Sequence, residues 1–170
     1  MRLAGAFMTA VLALMPVDVA LGKPAEALAQ GVVTQKSLSL GLAKTIAEAA
    51  LAECKNKGFA TSVAVVDRAG HLMVLLRDEN ATAQTAEMSR RKAYTARMFR
   101  ISTMEFQKRT SEPLYAAQRD VSEILALGGG VPIQIGDDVI GGVASSGSSQ
   151  PQDDACAKAG VAKAADLLKP

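Results

Sequence analysis

The stretch that decides the fold is GGGVPIQI (residues 128–135), followed by GDD (136–138) and VIGGVASSG (139–147). The pattern predicts a glycine-lined entry, a strand, a tight turn and a second strand that ends in a Ser/Gly loop. Because glycine has no Cβ, these positions allow another group to approach the backbone closely. The hairpin is therefore typical of a ligand cradle or a tight subunit contact, and it contains no nucleophile motif.

The first residues of the chain are typical of a secretory signal peptide. Met1-Arg2 gives a short positive region, residues 3–15 are apolar, and Ala27-Leu28-Ala29 matches the small-residue pattern that precedes cleavage. The apolar run is shorter than the roughly 20 residues that a membrane-spanning helix needs. We expect residues 1–29 to be removed after Ala29, leaving residues 30–170 as a single domain in the periplasm or outside the cell. An uncleaved anchor is the weaker alternative, because Pro16 and Asp18 interrupt the run.

The composition argues against a nucleic-acid-binding protein and against a membrane span in the mature chain. The 170 residues carry a formal net charge of +2 and no Trp, and aromatic residues make up 4%. A nucleic-acid-binding surface needs clustered cations, often with interleaved aromatic side chains, so we expect no nucleic-acid partner. No later segment is apolar enough to predict a membrane span once the signal peptide is cleaved.

The only two cysteines are Cys54 and Cys156. In an oxidising compartment an even pair is a disulfide candidate, which we favour slightly over two buried free thiols. It would join the first predicted helix to the last. A metal site is the least favoured interpretation, because the pair has no histidine partners nearby.

The remaining periodicity predicts the order α-β-β-α-α-β-β-α. Apolar residues recur every fourth position after Ser37 or Ser39, either of which can cap a first helix that runs to about Asn56. Residues 61–67 and 71–77 read as a hairpin whose strands are apolar on both faces, which predicts a sheet covered on each side. Helices follow over about residues 82–100 and 151–168, with a short helical turn from Ser102. We therefore expect an α+β fold with a mostly antiparallel sheet of about four to five strands and helices packed on it.

Five short motifs in this order resemble the GlcG/HbpS family of haem-binding proteins and the C-terminal domain of PduO-type proteins. They are VDRAGHL (66–72) with Arg77, KAYTA (92–96), GGVP (129–132), Ile140-Gly141, and Ser146-Gly147 with Gln152-Asp153. The resemblance covers residues 38–168. It implies an antiparallel α/β domain, assembly into homo-oligomers that are often octamers, and binding of haem or a related tetrapyrrole. The chain departs from the family pattern at Ala144 and Ser145, which add bulk near the expected cradle.

The candidate ligand-binding residues follow from the cradle and from this resemblance. Arg77 and Lys92 can hold carboxylates such as haem propionates, and the helix start at Asp153 can receive an anion. The full set is Arg77, Lys92, Thr95, Gly129, Gly130, Pro132, Ser146, Gly147 and Asp153. Arg90 and Arg97 are more simply interpreted as a solvated helix face.

The only histidine, His71, is the candidate metal ligand for a haem iron, although an exposed imidazole at a hairpin turn is the more ordinary interpretation. Met73 and Met88 are further candidates, but methionines at such spacings usually fill a core.

No nucleophile elbow, paired-histidine motif or P-loop is present in the sequence, so any chemistry would belong to a bound cofactor. We expect an exported haem- or tetrapyrrole-binding protein, non-catalytic, with its site at a subunit interface. The alternative is a small-carboxylate-binding enzyme or enzyme accessory linked to small-acid or aldehyde metabolism.

Overall fold

The computed structural model describes residues 31 and 33–169. The predicted signal peptide, residues 1–29, lies outside the described residues, and its cleavage stays a prediction. The chain divides into two units between Gln35 and Lys36. In the first unit, the described residues 31 and 33–35 contain no helix or strand, and every element below belongs to the second unit.

The order of elements confirms the sequence prediction. The helices are α1 (Leu40–Asn56), α2 (Gln84–Phe99), α3 (Thr103–Arg109) and α4 (Gln150–Lys163), with 3₁₀ turns at Pro113–Asp120 and Ala165–Leu167. The strands are β1 (Ser62–Val66), β2 (Leu72–Arg77), β3 (Gly130–Ile135) and β4 (Asp138–Ser146). None of the described helices is long and apolar enough to cross a membrane.

The four strands form one antiparallel sheet in the order β2-β1-β4-β3. The second hairpin thus joins the first through β1 and β4, where Val65 stands opposite Val143. All five residues of β1 are buried, as expected for a central strand with helices on both faces. The α+β fold class is confirmed.

The alternating residues of β1 serve two different layers. Val63 and Val65 belong to the main core, which lies between the sheet and helices α1 and α4. Ala64 and Val66 face α2 and form a smaller cluster with Ala93 and Ala144. Small residues on this second face let α2 lie close to the sheet.

The expectation that both faces of the first hairpin are covered was wrong for β2. Leu72 and Leu75 keep 45% and 41% of their surface exposed, because β2 is an edge strand and α2 reaches β1 and β4 more extensively than it reaches β2. Apolar residues on both faces of a strand therefore did not distinguish the central strand from its edge neighbour.

Local signals fix the helix starts. The Ser39 side chain accepts a hydrogen bond from the Leu42 backbone amide at 3.1 Å and caps α1. Helix α3 begins with a complete capping box, in which Ser102 and Glu105 each accept a hydrogen bond from the other's backbone amide.

Cys54 of α1 and Cys156 of α4 form a disulfide with their Cα atoms 5.5 Å apart. Both residues are fully buried. The bond closes a loop between positions 102 residues apart and fastens the two helices on the main-core face.

Replacing both cysteines, Cys54→Ala with Cys156→Ala, is expected to lower the free energy of unfolding by about 4.7 kcal/mol, the chain-entropy value for a loop of about 100 residues. Urea unfolding of the native protein with and without reductant measures this. The double variant is the control, because its midpoint should not respond to reductant. A native midpoint that stays fixed after full reduction would contradict the expectation.

Candidate functional site

A buried ion pair lies at the centre of the residues that the sequence singled out. Lys92 projects from α2 and is 1% exposed. Its Nζ donates hydrogen bonds to the Ser145 carbonyl oxygen at 3.1 Å and to Asp153 Oδ2 at 3.0 Å. The ammonium therefore joins α2 to the end of β4 and to the start of α4.

The other carboxylate oxygen of Asp153 is held by the loop before α4. Oδ1 accepts hydrogen bonds from the Ser148 amide at 3.1 Å and from its hydroxyl at 2.7 Å. The Ser145 hydroxyl lies 3.4 Å away. Asp153 also stands in the first turn of α4, where the helix dipole favours a negative charge. Each carboxylate oxygen thus has a partner, as a buried charge requires.

Burial lowers the pKa of Lys92, because the charged ammonium loses its hydration. The charge and hydrogen bond of Asp153 act in the opposite direction and favour the ammonium. Desolvation is the larger effect on the pKa of Lys92. The pair is therefore a costly arrangement that depends on its full set of hydrogen bonds.

The cradle glycines lie against this pair. Gly129 has φ +122°, and a Cβ there would come within 2.7 Å of the Asp153 Cβ and 3.0 Å of Lys92 Nζ. A Cβ on Gly130 would meet the Lys92 carbonyl oxygen at 2.6 Å. The groups that approach these glycines closely belong to this chain itself, with Asp153 and Lys92 beside Gly129 and the α2 backbone beside Gly130. A role for the two glycines in ligand binding stays a prediction.

A small pocket of about 220 Å³ opens beside the ion pair. We call it the hydroxyl pocket, because Thr82, Thr85, Ser146 and Ser148 line it. It brings together four of the predicted site residues, which are Lys92, Ser146, Gly147 and Asp153. Met88, Gln84, Leu127 and Gln150 complete its wall.

A larger cavity of about 760 Å³ lies along the free edge of β3. We call it the edge groove. Pro132, a predicted site residue, lies in its wall. The groove is lined by the connection from α2 to α3 (Arg100, Ile101, Ser102, Met104, Glu105), by β3 (Val131, Pro132, Gln134) and by α4 (Asp154, Lys158, Val161, Ala162).

The ion pair supports one wall of the edge groove. Gly130, which packs on the Lys92 backbone, donates its amide to Thr103 Oγ1 at 2.8 Å, and Thr103 is the first residue of α3. On the other wall, Asp153 of the pair is followed directly by the groove residue Asp154. The two cavities are therefore built on the same buried contacts.

Five predicted residues line neither cavity: the two glycines Gly129 and Gly130 described above, and Arg77, Thr95 and His71. Arg77 is exposed and donates a hydrogen bond to the Ala81 carbonyl oxygen. Thr95 is fully buried, and its hydroxyl accepts the Leu125 amide at 2.9 Å, which anchors the loop before β3. The His71 side chain is 82% exposed. Among the described residues, no cluster of three or more potential metal-ligating His, Cys, Asp or Glu side chains is present.

Sequence reasoning missed the partner of Asp153 and the residues around it. Lys92 and Asp153 are far apart in the chain, and only the fold brings them together. The serine-rich loop before α4 was a usable signal for Ser148, since serines ahead of an acidic helix start often hydrogen-bond to it. No local signal marked Met104 or the α4 wall of the edge groove.

Breaking the pair from either side is expected to lower the free energy of unfolding by about 3–5 kcal/mol, because one buried charge is left alone. Lys92→Met and Asp153→Asn test each side. The double variant should lose less than the sum of the two single losses, since neither charge remains. Urea unfolding of all four proteins measures the coupling.

The exposed pair of Lys57 and Glu53 is a matched control, with an N···O distance of 2.8 Å. Lys57→Met should cost less than about 1 kcal/mol. If the double variant at Lys92 and Asp153 loses as much unfolding free energy as the two single variants added together, the two residues are not a coupled buried pair.

Comparison with known proteins agrees with this fold. The family model described as haem degrading protein HbpS-like matches residues 38–162. Protein GlcG of Escherichia coli strain K12 is 32% identical over 113 residues, which are 66% of this chain and 84% of GlcG. A crystal structure of HbpS has a TM-score of 0.75 and 33% identity, covering 81% of this chain and 94% of that one. The crystal structure of a PduOC–haem complex has a TM-score of 0.68 and 26% identity, covering 74% and 94%. This chain therefore belongs to the GlcG/HbpS family of haem-binding proteins.

Proposed function

We propose that this protein binds haem or a related tetrapyrrole in the edge groove. The observation that carries the proposal is the size and lining of that groove, in a chain whose relatives include the protein of a haem complex. A volume of about 760 Å³ falls within the range of about 300–1,000 Å³ that is usual for small-molecule sites. The hydroxyl pocket, at about 220 Å³, is below that range.

The lining of the edge groove suits a flat apolar ring. Val131, Pro132, Val161 and Ala162 offer apolar surface from two sides of the β3 edge. Pro132 also has no backbone N–H, which blocks the free edge of β3 from pairing with another strand at that position. The edge therefore stays available to a ligand.

Among the residues that line the groove, Met104 has the side chain best suited to a haem iron. Met104 as a whole residue is 39% exposed at the wall, and thioethers serve as axial ligands in haem proteins. Met73 packs against the main core, and Met88 lines the hydroxyl pocket. Haem, when bound, would supply the iron and its redox chemistry, while the groove residues would bind and orient the ring.

The proposal includes a second copy of the chain at the open side of the groove. Binding sites usually cover at least 70% of a ligand, and a groove on one chain leaves one face of a flat ring in water. The homo-oligomers that the family resemblance implies, up to an octamer, would supply that cover. The site would then lie at a subunit interface, as the sequence predicts.

We propose a binding role rather than catalysis. Of the two carboxylates in the groove, Glu105 is held in the capping box of α3, and Asp154 Oδ2 pairs with Lys158 at 2.7 Å. Asp154 Oδ1 is buried and has no hydrogen-bond partner among the described residues, and no second free carboxylate lies beside it to act as an acid–base partner. The proposal also places the mature protein, residues 30–170, in the periplasm or outside the cell. A mature N-terminus at Gln30 on sequencing of the exported protein supports this, and an N-terminus that retains residues 1–29 counts against it.

A small carboxylate is the second candidate ligand, and the hydroxyl pocket favours it. The pocket offers several hydroxyls and the Lys92 ammonium within a volume that suits a small acid. Such a ligand would have to compete with Asp153 for Lys92, because the two are already paired at 3.0 Å.

Titration of the purified protein with haemin is expected to give a saturable shift of the Soret band. Ala162→Trp should block it by filling the groove. Ala52→Trp is the matched control, because Ala52 lies exposed on α1. Met104→Leu should change the band shape of the complex, whereas His71→Ala should not.

Equal haemin binding by the Ala162→Trp variant would move the site away from the edge groove. A flat response of the native protein would contradict tetrapyrrole binding altogether. Stabilisation by small organic acids in a thermal-shift screen would then favour the second candidate, since a ligand that prefers the native state raises its apparent stability.

A further inference from the structure

Most cations of α2 already have partners. Arg90 is paired with Glu87 at 2.8 Å and also with Glu123, and Arg91 donates to the Ile124 carbonyl oxygen at 2.6 Å. Lys92 is held by Asp153. At the C-terminal end of α2, Arg97 and Arg100 make no side-chain hydrogen bond or ion pair with any described residue. We call these two residues the arginine pair.

Arg97 is not simply a solvated surface cation. It is half-buried, and its Nε is fully buried without a hydrogen-bond partner. A buried donor that makes no hydrogen bond costs free energy, so a partner for this guanidinium would be stabilising. Burial, followed by the positive charges of Arg100 and Arg68, lowers the pKa of Arg97.

The carboxylates near the arginine pair are already occupied. Asp138 forms an ion pair with Arg68. Asp67 accepts the backbone amides of Ala69 and His71 at 2.8 and 2.9 Å, which closes the β1–β2 turn. Positive charge is therefore in excess at this end of the sheet.

The arginine pair adjoins the edge groove. Arg100 lines the groove directly. A Cβ on Gly142 would lie 3.2 Å from the Arg97 Cβ, and Gly142 stands opposite the groove residue Pro132 in the sheet. Arg100 is the C-cap of α2, with φ +59°, and its positive charge lies close enough to Arg97 to lower the pKa of that residue. One anionic group between the two would relieve this repulsion.

The helix dipole does not cancel this positive charge. The C-terminus of a helix carries the equivalent of about −0.5 elementary charge, whereas the arginine pair carries two full positive charges. Arginine also presents a planar set of N–H donors that matches a carboxylate in bidentate geometry. An anionic ligand fits this end of the groove better than a neutral one.

We propose that Arg97 and Arg100 bind a carboxylate of the ligand in the edge groove. The ligand class is an amphiphile with an apolar body and at least one carboxylate at its edge, and haem with its propionates is one member. This inference rests on the proposed function for the identity of the apolar body. The inference that the site binds a carboxylate rests on the arginine pair and does not depend on the identity of that apolar body.

The test compares haemin with haemin dimethyl ester, in which both carboxylates are blocked. The native protein should bind haemin at least tenfold more tightly than the ester. Arg97→Gln with Arg100→Gln should weaken haemin binding at least tenfold and leave ester binding unchanged. Lys44→Gln, on the exposed face of α1, controls for the loss of net charge.

Equal haemin affinity in the native protein and the double variant would overturn the inference and leave the proposed function intact. If the native protein binds no haemin, the carboxylate site is tested on its own by measuring the shift in melting temperature that succinate causes. Stabilisation that is lost in the double variant supports the carboxylate site, and an identical response in both proteins overturns it. Arg100→Gln alone provides the same comparisons if the double variant fails to fold, because Arg100 is exposed.

Discussion

The Lys92 ammonium lies between a backbone carbonyl of the sheet and a carboxylate of α4, with almost no access to water. Removing two charges from water costs several kcal/mol for each ion, so this contact forms only when both partners and their supporting hydrogen bonds are in place. It joins α2, on one face of the sheet, to α4, on the other. The positions of Gly129 and Gly130 follow, since a side chain at either would displace the pair.

In this arrangement, the residues that hold the fold together differ from those that line the proposed binding groove. The residues that looked most like a ligand cradle hold the protein's own lysine, while the larger cavity lies beside them along β3. Two consecutive residues of α4 have these two roles, because Asp153 is a member of the buried pair and Asp154 lines the edge groove. A change in the buried pair would therefore reach the groove through α4 as well as through Gly130 and Thr103.

Local patterns predicted the elements well because each depends on neighbours in the sequence. The cap at Ser39, the β-branched run of β1 and the glycine turn before β4 all act within a few residues. Strand order depends on contacts between distant segments, so the apolar pattern did not reveal that β2 is an edge. Lys92 and Asp153 were each identified as candidates, but their pairing depends on tertiary structure. The edge groove has three walls from three parts of the chain, and no single motif encodes it.

The central position of β1 has a consequence for how the chain acquires its structure. Until residues 138–146 are available, β1 has only β2 beside it, and its other edge has no partner strand. An N-terminal fragment thus leaves the hydrogen-bonding edge of β1 unpaired, and unpaired strand edges promote aggregation. Sheets built from contacts between distant segments also fold slowly, because a long loop must close before those contacts form. The edge of β1 that pairs with β4 is therefore vulnerable until the second hairpin is complete.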